Sequence, residues 1–193
     1  NGPAEDAQIS LEYTDQLSVI PRAVKKDSGE LVAKYNFNVE LYEREDYVTV
    51  GTGYDTLKEA AAAMKDGKNY RISVNDDVSA SGDILNRIGS VLELNGHTLT
   101  LTDGSVFAMD ATLGTITTAD GSVTLGEDDH DLTLSNVTWT GDAKLTVKGR
   151  IAGNVSMQLP SLKLYDSATL KVRTLTVEGN TEIPGISELH VIQ

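Results

Sequence analysis

Cysteine is absent from this chain of 193 residues, which removes disulfides, thiolate metal sites and cysteine nucleophiles at once. Positive charge is scarce: 16 Lys and Arg stand against 29 Asp and Glu, a formal charge of -13. A phosphate-backbone binder needs a cationic footprint, so nucleic acid is set aside as a partner. No run of 18 apolar residues occurs, and no membrane-spanning helix is expected. Prolines number 4 and aromatics make up 5%. What is present is 39% hydrophobic residues and 17 glycines, too apolar for disorder and rich in turns. The length suits one domain with a small appendage. The N-terminus, Asn1-Gly2-Pro3-Ala4-Glu5-Asp6-Ala7, has neither a basic n-region nor an apolar h-region. Either the chain is cytosolic or a signal has been removed.

Residues 8–50 read as strands. Ile9, Leu11 and Tyr13 alternate with polar neighbours, and Leu31, Ala33, Tyr35, Phe37, Val39 and Leu41 form a longer period-2 run. Pro21 assigns the run Leu17–Ile20 to an edge, because proline cannot donate to a ladder. With Tyr47–Val50 resuming the alternation, a hairpin or small antiparallel sheet is expected within 1–53. Residues 55–67 form the one convincing helix. Thr56 and Glu59 make a capping box, Leu57, Ala60, Ala61 and Met64 a narrow apolar stripe, and Gly67 a stop.

From Tyr70 onward, short apolar-x-apolar doublets recur between Gly, Asn, Asp or Ser. Examples are Ile72/Val74, Leu92/Leu94, Leu99/Leu101, Val123/Leu125, Val137/Trp139, Leu145/Val147 and Leu170/Val172. Short strand, corner, short strand is the pattern of a β-solenoid, with coils of roughly 22 residues and room for about five. A Greek-key sandwich is the runner-up, because the spacing is irregular. The expected organisation is an N-terminal β segment over 1–53 and a capping helix plus solenoid over 54–193.

The stretch Val91-Leu92-Glu93-Leu94-Asn95-Gly96-His97-Thr98-Leu99-Thr100-Leu101 resembles a coil of the right-handed parallel β-helix proteins of the pectate-lyase-like group, common on bacterial surfaces. Residues 56–67 resemble the helix that plugs the N-terminal end of such a fold, and Tyr70–Val78 its first coil. The resemblance covers about 54–102. It implies an all-β, short right-handed parallel β-helix with an N-terminal capping α-helix. It implies little about activity, since that scaffold carries lyases, hydrolases, adhesins and spikes.

Candidate chemistry is thin. Glu127-Asp128-Asp129-His130-Asp131 is the densest acidic run, but it lacks alternating calcium-ligand spacing and reads as a solvated corner. Asn180-Thr181-Glu182, Asp128-Asp129 and Asn95-Gly96-His97 are partial echoes of the group's hydrolase motifs, out of order. A lyase would need a base beside carboxylates, and Arg71, Arg87, Arg150 and Arg173 are scattered. His97, His130 and His190 show no metal spacing. Trp139, the only tryptophan, pairs with Val137 as an inward residue. Asn136-Val137-Thr138 and Asn154-Val155-Ser156 fit a glycosylation acceptor only in a eukaryotic source. Thr-x-Thr pairs at 98/100, 115/117, 138/140 and 174/176 would suggest an ice-binding solenoid if they formed a flat array. Their period is not constant, so they read as ordinary solvated strand residues.

No residue is therefore assigned a catalytic, cofactor or metal role. The expected function is a non-catalytic extracellular or cell-surface solenoid for adhesion, display or glycan binding. The alternatives are a carbohydrate-active enzyme with a lateral groove and a structural segment of a longer stalk or spike. Glu188–Gln193 keeps strand rhythm with no capping helix, so further chain or end-to-end self-association is expected there.

Overall fold

The computed structural model describes residues 11–13, 17–25, 31–36, 46–50, 54–64, 68–80 and 85–192, the first four stretches as backbone only. The chain divides into two compact units, 1–45 and 46–193. In the first, β1 (Leu11–Tyr13), β2 (Leu17–Lys25) and β3 (Leu31–Asn36) form an antiparallel sheet in that order. The small N-terminal sheet is thus as expected, but β2 is its central strand rather than an edge. Pro21 is accommodated because pairing with β1 stops at Val19, while Pro21 faces Tyr35 of β3. Gly29, the Phe37–Leu41 end of the long alternation and Gly67 lie outside the described residues.

The second unit is a parallel β-solenoid of about six turns. Its first strand, β4 (Asp46–Val50), pairs in parallel with β5 (Tyr70–Val74), joined through the helix α1 (Leu57–Ala63). Parallel neighbours require such a crossover, so β4 starts the solenoid rather than continuing the N-terminal sheet. Thr56 caps α1 by accepting from the Glu59 N–H at 3.1 Å, and Glu59 accepts in return from the Asp55 N–H at 3.1 Å. Leu57, Ala60 and Met64 are buried, and α1 lies against β4 and the short β6 (Val78–Ala80).

Each turn then runs over three faces. The first face stacks β4, β5, the end of β7 (Asn86–Glu93), the early parts of β9 (Val106–Thr118) and β11 (Asp131–Gly141), then β13 (Arg150–Ala152), β16 (Thr169–Val172) and β19 (Glu188–Val191). The second stacks β6, β8 (Thr98–Leu101), the later parts of β9 and β11, β14 (Val155–Leu159) and β17 (Thr174–Val177). The third stacks the start of β9, β10 (Ser122–Leu125), β12 (Lys144–Val147), β15 (Leu162–Leu164) and β18 (Thr181–Glu182).

Inside, identical positions of successive turns lie on one another. One file runs Leu99, Ile116, Trp139, Met157 and Leu175; another runs Phe107, Leu125, Val147 and Leu164. Trp139 is fully buried, as expected of an inward residue, and meets Phe107 edge to face with centroids 6.0 Å apart. Its indole N–H has no acceptor among the described residues.

The corner between the first and second faces needs left-handed backbone. Asn95 (φ 52°) and Gly96 (φ 90°) make it as the sequence suggests, and Leu113 (φ 53°) and Asn136 (φ 56°) repeat it on later turns. Gly153 serves the next turn, where a Cβ would lie 1.9 Å from the Leu134 carbonyl oxygen. The left-handed residues bend β9 and β11, so that each of these long strands serves two faces.

Candidate functional site

The acidic run 127–131 sits at the corner between the third and first faces, as a solvated turn closed by the His130 N–H donating to the Glu127 carbonyl at 3.2 Å. Two of its carboxylates, those of Asp128 and Asp131, are engaged with the following turn. Lys148 reaches Asp128 at 3.2 Å, Arg150 pairs with Asp131, and His130 Nδ1 bonds the Asp128 carbonyl at 2.8 Å. Lys148 also lies 4.5 Å above the Tyr165 ring. An open cleft of about 330 Å³ separates Asp128 and Asp129 from Tyr165, Asp166 and Ser167. Among the described residues no group of three or more His, Asp or Glu is arranged to hold a metal ion.

The other residues singled out in the sequence scatter. Asn95-Gly96-His97 lies at the corner between the first and second faces, Asp128-Asp129 at the corner between the third and first, and Thr181-Glu182 on the third face. The hydrolase echoes are therefore not brought together. The arginines hold the solenoid: Arg71 pairs with Glu93 at 2.7 Å, Arg87 donates to the Ala61 carbonyl of the capping helix at 3.2 Å, and Arg173 reaches Asn154 at 3.5 Å. Asn136 and Asn154 bond each other in the corner ladder. His97 and His190 approach Asp77 and Glu188 at 3.8 and 3.0 Å. Asp110 on the first face accepts from the Thr133 N–H at 2.7 Å. Half-burial raises its carboxyl pKa, and that hydrogen bond opposes the rise.

The second face is different in kind. Thr98, Thr115, Thr138, Ser156 and Thr174 occupy one outward file in register. Beside it run Ser79, Thr100, Thr117 and Thr140, continued by Gln158 and Thr176 one residue beyond the Trp139–Met157–Leu175 stack. The irregular Thr-x-Thr period thus conceals an aligned array. Along the inward file the numbers step from 99 to 116, 139, 157 and 175, and the corners absorb the inequality. The longest step spans the 126–131 corner. No charged side chain stands in either file, and none of the threonine hydroxyls in them is committed to a hydrogen bond among the described residues.

The geometry defines a parallel β-solenoid with one hydroxyl-bearing face whose threonines lie in register. Comparison with protein-family models, curated proteins and solved structures finds no match.

Proposed function

We propose that the chain is a non-catalytic bacterial solenoid of the right-handed, pectate-lyase-like kind, acting outside the cell or on its surface in adhesion or display. The observation that carries this is the second face: in a chain of net charge -13, two in-register files are free of charge and keep their threonine hydroxyls uncommitted. Two extended, charge-free files suit an extended surface, either a glycan or a cell-surface partner, better than a small substrate, which requires a concave site. The test is retention of the full chain on insoluble neutral polysaccharides and on intact cells. Thr100→Glu should abolish retention and Lys144→Glu, on the third face, should preserve it. Retention indifferent to Thr100→Glu refutes the assignment to this face. Turnover of polygalacturonate or of a neutral glycan would replace this proposal with a carbohydrate-active enzyme working at the Asp128–Tyr165 cleft.

A second role, as a segment of a longer stalk, is favoured by the last turn. Ile183, Ile186, Val191 and Ile192 there are 46%, 78%, 50% and 49% exposed, against the sealed interior below. Stacking of a further turn or a second copy would cover them. Sedimentation of the chain with and without Val191→Lys tests this; identical monomers would count against a second copy.

A further inference from the structure

We infer that the second face binds ice, which goes beyond the proposal above while resting on the same face. Parallel in-register strands place neighbouring files on a grid of about 4.8 Å between turns and about 6.7 Å between alternate residues of a strand. Thr98/Thr100, Thr115/Thr117 and Thr138/Thr140 fill three consecutive rows of that grid with identical side chains. These two repeats are close to the oxygen repeats on the faces of hexagonal ice. Each threonine offers an unused hydroxyl to a lattice water and a methyl group over which a water cage can close. Water ordered on the grid already has the spacing of the ice front and can merge with it.

The occupant is chosen by what the face lacks as much as by its spacing. The two files themselves carry no charge, with Asp77 and Glu178 at their margins on Thr98 and Gln158, while Arg71–Glu93, Lys148–Asp128 and Lys163–Glu182 pairs mark the rest of the solenoid. It carries no aromatic ring, so a glycan there would be held by hydrogen bonds alone: Tyr70, Phe107 and Trp139 are buried, and Tyr165 lies at the corner between the third and first faces. An ordered lattice of neutral hydrogen-bonding groups is what remains.

The test is ice-crystal morphology and thermal hysteresis of the full chain. The variants are Thr117→Tyr in the middle of the grid, Thr100→Tyr as a second choice should the first fail to melt cooperatively, and Thr146→Tyr on the third face. Tyrosine suits an outward strand position, so the fold should tolerate all three. The expected result is faceted crystals and measurable hysteresis, lowered roughly tenfold by a grid variant, as for loss of a central contact, and unchanged by Thr146→Tyr. Round, unshaped crystals from the unaltered chain overturn the inference, as does equal loss in grid and control variants. Unshaped crystals together with Thr100-dependent retention on a neutral polysaccharide would overturn ice while leaving the adhesive role standing.

Discussion

The first and second faces stand on the same interior and carry opposite surfaces. On the first, outward positions differ from turn to turn and form cross-turn pairs, Arg71 with Glu93 and Arg150 with Asp131. On the second, the outward positions repeat and their threonine hydroxyls pair with nothing among the described residues. Strand stacking demands only inward apolar residues and a paired backbone, and strand propensity favours threonine outside without requiring it at one register on successive turns. That repetition is what the proposed adhesive role and the ice-binding inference both rest on.

The largest test of that contrast is to remove the support beneath the repetitive face. Trp139→Ala should destabilise the solenoid by about 3–5 kcal/mol in denaturant unfolding, because a fully buried ring and its contact with Phe107 are lost. Next is the corner that separates the two faces. Leu113 is 56% exposed at φ 53°, in the position that Asn136 holds one turn later, so Leu113→Asn should stabilise by about 1 kcal/mol. A loss of stability would mean that the leucine is held there by packing.

Arg150→Ala should cost at most about 0.5 kcal/mol, and less in high salt, since the Arg150 and Asp131 side chains are 54% and 75% exposed. A cost well above this would make the first face as dependent on its pattern as the second. The smallest effect is set by pH. Because the folded pKa of Asp110 is raised, the folded state binds its proton more tightly than the unfolded chain does. Stability from this group therefore falls as pH rises from the ordinary carboxylate value through the raised one. Asp110→Asn should raise the melting temperature slightly at neutral pH, with the gain vanishing in acid. A gain that persists in acid would have another origin.

Much of the solenoid was legible because its interior alternates: Leu92/Leu94, Leu145/Val147 and Leu170/Val172 all fall on inward positions. The turn at 106–111 leaves no clean doublet in the sequence. Phe107, Met109 and Ala111 face inward there, but Ala108 is buried between them and blurs the alternation. The first strand of the solenoid was grouped with the N-terminal sheet because strand patterning does not reveal whether a partner is parallel. The face itself was hidden in the threonine pairs. Register depends on how many residues each corner consumes, and Gly126–His130 consumes more than its counterparts on later turns without leaving any periodic mark.

The position of α1 has a consequence for how the molecule is made. Across the later turns of the first face, each rung pairs with residues 19 positions ahead, as Asp131 does with Arg150 and Thr169 with Glu188. A chain emerging from a ribosome therefore completes one rung at a time, each laid on an edge already formed. The helix lies between the first two paired strands, β4 and β5, so the lid is synthesised before the second turn exists. Growth then runs away from the helix, and each strand of the later turns meets a partner already synthesised.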